Sequence, residues 1–258
     1  MKLKTVNKSK DKLQVRFEVD KSTESFVNAI RRMAIEEVPT LAVEDIEIRQ
    51  NSSALFDEML ALRIGLVPIK TDLSSYSLPS GPEDISERSA KCTLEMELKV
   101  AKKGVVYAEF ASSKDPKCTF VFPKMPIVKL HARQKVDVSM LAVMGQGKDH
   151  IKWAPGHVWF VNKPSLTIKQ DAKLIAENKD KYPPQIFDKS GKISPKQIEV
   201  LNLYDAVDRV CENLIKVTYS TDSFVVDAES WGQMSVNEML TTAAEMLTTK
   251  AKELESQL

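Results

Sequence analysis

Hydrophobic positions near the start of the chain fall into a period of two. Leu13, Val15, Phe17 and Val19 alternate with polar residues, which predicts a half-buried strand. A helix follows, with Ser22 or Thr23 available as its cap and Glu24 near the positive end of its dipole. Phe26, Ala29, Ile30, Met33, Ala34 and Val38 form one stripe, with Asn28, Arg31, Arg32 and Glu36 largely off it. Pro39 ends the helix by disfavouring helical geometry at Val38. Val43, Ile46 and Ile48 predict another strand. Leu55, Met59 and Leu62 predict a short helix over residues 53–64, stopped by Gly65 and Pro68. Residues 71–90, rich in serine, proline and acids, read as an exposed loop. Cys92, Leu94, Met96, Leu98 and Val100 alternate again, and the turn at Lys102, Lys103 and Gly104 leads into an expected partner strand over 105–110. Short β segments punctuated by prolines continue to Phe160, so residues 46–160 read as a mainly-β module.

The pattern then changes character. A short β segment at 166–168 precedes a polar helix over 171–178, a break at Tyr182, Pro183 and Pro184, and a turn at Lys189, Ser190 and Gly191. A second helix is expected near 200–214, with a strand from Ile215. Residues 161–216 therefore read as a small α/β subdomain. The C-terminus carries the clearest helical period. Ser235 and Glu238 form a capping box. Leu240, Ala244, Leu247, Ala251, Leu254 and Leu258 then recur at intervals of 4, 3, 4, 3 and 4, the seam of a two-helix interface. Met239, Ala243 and Met246 widen the stripe in its first half. Such a helix is about 35 Å long at roughly 1.5 Å per residue. Its seam leucines contribute on the order of 6–10 kcal/mol gross when fully buried, before entropy is deducted. Docking on the chain's own core and sharing with a partner chain bury the same surface, so the period leaves both open.

Composition narrows the function classes. Hydrophobic residues at 43% and charged residues at 28% are ordinary for a soluble globular chain. Lysine and arginine total 37 against 36 acids, a net charge of +1, whereas proteins that grip nucleic acid carry a basic excess. No apolar run reaches the length of a membrane span, and the lysine-rich start precedes no apolar signal-peptide core. Cys92, Cys118 and Cys211 are widely spaced, as expected of free thiols in a reducing cytoplasm. Gly145 and Gly147 superficially evoke a phosphate loop, but His150 stands where a dinucleotide fingerprint needs its third glycine, and no helix follows. His131, His150 and His157 lack the nearby thiolates of a zinc site. Asp149 beside His150 makes an acid/base pair only if the fold brings them together. The adjacent Arg31 and Arg32 read either as solvated side chains or as bidentate anchors for a large partner.

Four segments carry a resemblance: NAIRRMAIEEVPTLAVE (28–44), DEMLALRIGLVPI (57–69), GQGKDHIKWAP (145–155) and FVVDAESWG (224–232). Together, and in this order, they resemble the D-type subunit family of archaeal RNA polymerase, which is related to the bacterial alpha subunit and its eukaryotic third-subunit counterpart. The resemblance implies an α+β fold with a discontinuous dimerisation domain. Its N-terminal part would be 1–45 and its C-terminal part 217–258, with an inserted mainly-β domain over 46–160 and a ferredoxin-like subdomain over 161–216. It implies a non-catalytic cytoplasmic scaffold that pairs with the smaller subunit L. Small subunits N and P join this platform, and the large catalytic subunits assemble on it. Phe26, Ile30 and Met33 would face the dimerisation core, as would Leu240, Ala244, Leu247, Ala251 and Leu254. Arg31 and Arg32 would face a large subunit, and the 145–155 loop would serve other subunits.

One departure from the family concerns a cofactor. Many relatives hold an iron–sulfur cluster on a C-x-x-C-x-x-C-x-x-x-C run in the small subdomain. With Cys211 as the last ligand, the preceding positions here are Leu201, Tyr204 and Val207, which supply no thiolate. Together with Cys211 and Leu214 they are expected to form an apolar helical stripe, so that packing replaces the cluster and no cofactor binds. The competing readings are a small-molecule enzyme centred on Asp149, His150 and His157, an electron-transfer protein, and a homodimer like the bacterial alpha subunit.

Overall fold

The computed structural model describes residues 1–188 and 190–258. The expected turn at Lys189 thus lies partly outside the described residues. In chain order the elements are β1 (Lys2–Lys8), β2 (Gln14–Asp20), α1 (Glu24–Arg32), a π-helical turn (Met33–Glu37), β3 (Pro39–Asn51), α2 (Asp57–Gly65) and α3 (Pro82–Ser86). Next come β4 (Thr93–Val100), β5 (Gly104–Tyr107), β6 (Ala111–Ser113), β7 (Pro126–Leu130), β8 (Val136–Gln146) and β9 (Gly156–Ile168). The chain ends with α4 (Ala172–Asn178), α5 (Pro195–Val200), α6 (Tyr204–Val207), β10 (Ile215–Ser230) and α7 (Val236–Gln257). The fold is mixed α and β, with sheet orders β1-β2-β10-β9, β3-β8-β4-β6 and β5-β7. Residues divide into two compact units: one of 1–4, 17–24 and 160–226, the other of 5–16, 25–159 and 227–258.

The larger unit is organised by β8. It pairs antiparallel with β3 from Pro39↔Gln146 to Asn51↔Val136, and on its other edge with β4. A strand flanked on both edges and covered on its face is apolar almost throughout, as the run from Met140 to Met144 is. Leu41, Leu60, Ile64, Ile69, Leu98 and Met140 form the centre of its core. β4 has its other edge taken by β6, so β5 turns away and pairs with β7, not with β4 as the turn at Gly104 predicts. The 71–90 stretch is more than loop. It carries α3, and buried Tyr76 donates its hydroxyl to Asp115 Oδ2 at 3.1 Å. α2 buries Leu60 and Ile64, so the face bearing Met59 and Leu62, expected to be the inner one, points outward. β1 forms where the sequence showed only a lysine-rich start.

The smaller unit has its own core of Tyr182, Ile186, Ile193, Ile198, Val207 and Leu214. Asp171 caps α4 by accepting from the Lys173 and Leu174 amides. The helix expected over 200–214 is broken. α5 ends at Val200, Asn202 and Arg209 take left-handed backbone angles (φ 51° and 58°), and only Tyr204–Val207 is helical between them. Leu201 consequently points outward, while Val207 and Leu214 enter the core with Tyr204 and Cys211 at its edge.

The glycine pair of the 145–155 loop is explained by close approach. A Cβ on Gly145 would lie 2.4 Å from the Trp153 ring, and one on Gly147 would lie 2.1 Å from the Ile35 carbonyl oxygen. Trp153 is itself pinned, donating Nε1–H to Val143 O at 3.0 Å while its own carbonyl accepts from Thr40 Oγ1 at 2.7 Å. These glycines let two backbones touch; no phosphate cradle is required to account for them.

Gly147→Ala therefore meets backbone rather than a flexible side-chain end, and destabilisation of about 1–3 kcal/mol is expected in urea unfolding. An unchanged midpoint would contradict the close approach. A second expectation concerns the thiols. Cys92 and Cys118 are buried, and burial, reinforced by the Asp115 carboxylate, pushes Cys118 up to about 11. Ellman's reagent at pH 8 should titrate Cys211 rapidly in the native chain and all three cysteines only in denaturant.

Candidate protein–protein interface

Three elements of the larger unit meet around the π-helical turn. The turn closes with Val38 N–H donating to Met33 O at 3.2 Å, five residues back, and Val38 then takes an extended conformation (ψ 120°) ahead of Pro39. The end of β8 and the loop leaving it satisfy the freed carbonyls: Lys148 N–H donates to Glu36 O at 2.9 Å and Gln146 Nε2–H to Glu37 O at 2.6 Å. Helix α7 packs against the same turn.

α7 begins with the serine half of the expected capping box, Ser235 Oγ accepting from Glu238 N–H at 3.2 Å, and among the described residues no return bond from Ser235 N–H to the Glu238 side chain accompanies it. Val236, Met239 and Ala243 are buried against the chain's own fold. The seam lies on another face: Leu240 and Leu247 are half-buried, Ala244 and Ala251 are exposed, and Leu254 is 60% exposed. Every residue from Thr248 to the end of the helix is exposed. The alternatives left open by the period are thus divided along its length. The first half docks on its own fold, and the second half carries apolar side chains beyond the reach of that core.

α1 shows the same division. Val27 is buried, and Ala34 and Val38 continue its inward line. Phe26 is exposed, and Ile30 and Met33 are half-buried. Arg31 Nε donates to Asn28 Oδ1 at 3.0 Å, and Arg32 Nη2 to Glu36 Oε2 at 3.0 Å, one turn on. This bond, more than burial, holds the Glu36 carboxyl below its usual range. At Glu37 burial pushes the carboxyl up, but bonds from Lys250 and Lys148 together outweigh it and the net direction is down.

Sequence reasoning missed a second outward apolar surface. Phe56, at 76% exposed, precedes α2, whose Met59 and Leu62 are also exposed, as is Leu66 just after it. Beside them Val43, Ile46, Ala61, Leu62 and Leu66 line a groove of about 280 Å³, with His150 and Lys152 at its polar side. Lys152 Nζ pairs with Glu44, donates to Val43 O at 3.0 Å and lies 4.4 Å from the Trp153 ring centre. Ile151 is exposed nearby in sequence. The available signal was a short helix with apolar residues on both faces.

The candidate chemistry does not converge. His150 Nδ1 accepts from Lys152 N–H at 3.1 Å, and its ring meets Trp153 edge-on. No hydrogen bond joins it to Asp149 among the described residues, and His131 and His157 stand exposed. Among the described residues no group of three histidine, cysteine or carboxylate side chains is placed to hold a metal, and no helix is long and apolar enough to cross a membrane.

Known proteins agree with an interface reading. A family model described as the RNA polymerase Rpb3/Rpb11 dimerisation domain matches residues 16–251. The DNA-directed RNA polymerase subunit Rpo3 of Methanosarcina acetivorans is 34% identical over 93% of this chain and 92% of its own length. That of Methanobrevibacter smithii is 34% identical over 88% of this chain and 87% of its own, and that of Pyrococcus furiosus 32% over 91% and 88%. The chain therefore belongs to the RNA polymerase Rpb3/Rpb11 dimerisation domain family and is a homologue of the archaeal Rpo3 proteins.

Proposed function

We propose that this chain is a non-catalytic assembly subunit of DNA-directed RNA polymerase, working in the cytoplasm and pairing through its terminal segments with the smaller subunit L. The observation that carries this reading is the second half of α7. Its seam residues Ala251, Leu254 and Leu258 are exposed, although the first half is anchored by Val236, Met239 and Ala243. Covering such a stripe with a second helix releases about 25 cal/mol per Å² of apolar surface. In this reading residues 1–45 and 217–258 make one dimerisation domain, with the mainly-β domain 46–160 inserted and the ferredoxin-like subdomain 161–216 following it. Phe26, Ile30 and Met33 line the same dimer core.

Subunits N and P and the large catalytic subunits use the remaining surfaces. Arg31 and Arg32, held by Asn28 and Glu36, present guanidinium groups at defined positions. The exposed apolar stripe of α2 and the 145–155 loop add area that a lone chain has no use for. Polymerase chemistry belongs to the large subunits. A net charge of +1 fits a scaffold that leaves nucleic acid to them.

The residues of the small subdomain do not fit an iron–sulfur cluster. Cys211 is the one thiol in the run, and Val207 is buried where a preceding ligand would stand. Burial first, and then the neighbouring Cys211, pushes the Tyr182 hydroxyl up, as expected beside an apolar core. Packing is the stabilising agent here.

Two measurements test this. Co-expression with subunit L should give a one-to-one heterodimer by native mass. Leu247→Asp combined with Leu254→Asp should abolish it while the chain keeps its circular dichroism; undiminished pairing, or a homodimer in place of the heterodimer, would refute the seam. Anaerobically purified chain should show no absorbance near 400 nm and no iron, and one cluster per chain would refute the packing account.

A further inference from the structure

Glu37 occupies an unusual position between two of these surfaces. Its side chain is only 12% exposed, yet three donors converge on it. Lys250 Nζ reaches Oε1 at 2.6 Å, while Lys148 Nζ at 3.3 Å and Gln146 Nε2 at 3.2 Å reach Oε2. Lys250 belongs to the exposed half of α7, beyond Leu247. Gln146 ends β8, and Lys148 belongs to the loop that leaves it. The carboxylate itself sits on the π-helical turn. Glu37 is the last residue of that turn, at the point where both the loop and α7 pack against it.

The exposed half of α7 has little else to hold it. Thr248 and Thr249 donate to Ala244 O and Glu245 O, and Ser256 to Glu253 O, all within the helix. Helix ends with few buried contacts open at low free energy. When that end opens, Lys250 leaves Glu37 and a half-buried carboxylate loses a counter-charge. A carboxylate that is 12% exposed and short of a counter-charge is favoured nearer water, and any such turn would draw it from Lys148 and Gln146. A partner that pins the end of α7 keeps Lys250 in place and so keeps the loop fixed.

We propose that Glu37 is a positioning residue that couples the two partner-facing surfaces, so that capture of subunit L along α7 orders the Gln146–Trp153 loop for the next subunit. This rests on the reading of α7 as the L-binding helix and adds to it a physical link between that helix and the loop. The coupling is reciprocal, as any linkage between two binding sites is. A subunit that clamps the loop also tightens the grip on L.

The test is hydrogen exchange at the Lys148 and Trp153 amides, which donate to Glu36 O and His150 O, in the chain alone and in its heterodimer with L. In the wild-type chain, adding L should slow exchange there by at least about 5-fold, the lower end of measured couplings. Lys250→Ala removes the helix arm and Lys148→Ala the loop arm. Both replace exposed side chains, so the fold survives, and urea midpoints serve as the control. Each should leave the heterodimer intact and abolish the response of the loop. Glu37→Gln should do the same. A wild-type response in Lys250→Ala, or no response in the wild-type heterodimer, would overturn the coupling. Failure of the wild-type chain to pair with L at all would instead overturn the function on which it rests.

Discussion

The antiparallel ladder between β3 and β8 fixes where the interface elements can stand. Its last rung sets Pro39 opposite Gln146. The residues just before Pro39, which end the first helix, are therefore laid against the residues just after Gln146. Two backbones forced together at that point need a residue without a Cβ, and Gly147 supplies it against Ile35 O. They also need their polar groups satisfied, which the Lys148 amide and Gln146 side chain do for the carbonyls of Glu36 and Glu37. The widened helical turn, the loop and the start of β3 form one hydrogen-bonded assembly, and α7 packs on it.

That arrangement leaves α7 with a division of labour. A single face of a helix cannot both bury itself in its own core and stay open to solvent, so buried and exposed apolar residues fall on neighbouring stripes. Val236, Met239 and Ala243 hold the helix, and Leu240, Leu247 and Leu254 stand to one side and further along. Docking the first turns fixes the direction in which the exposed half leaves the core. α1 repeats the logic with Val27 inward and Phe26 outward. A chain built this way is stable enough to fold and incomplete enough to assemble.

The side chains of the 145–155 loop are taken up by the same close packing. His150, Lys152 and Trp153 look reactive as a list, but each is engaged in shaping the loop: one caps its turn, one bridges to β3, and one packs over Gly145. Side chains committed to such contacts are held in geometries set by the loop rather than by a substrate. The residues that make this loop distinctive in sequence are those that let it lie flat on its neighbours.

Much of this was legible in the residues themselves. Alternation at Leu13–Val19 and Cys92–Val100 predicted strands that formed, because a period of two has one physical meaning when flanked by polar residues. The cap at Ser235 and the long helix after it were equally plain, since capping is local. Four short segments sufficed to place the chain in its family. What local pattern could not decide was orientation. Met59 and Leu62 lie on one stripe of α2 and Leu60 and Ile64 on another, and only the packing of that helix over β7, where Arg63 bonds the carbonyls of Pro126 and Ile127, selects the inner one. The helix expected over 200–214 broke because left-handed residues at Asn202 and Arg209 bend the chain toward a core that no window of sequence displays. Nothing in the residues around Glu37 marks it, and only the fold brings Lys250 to it from 213 positions further along the chain. Periods and caps are properties of neighbouring residues, and the sequence contains them. Which face turns inward and which charges meet depend on residues remote in the chain, and only the tertiary structure contains those.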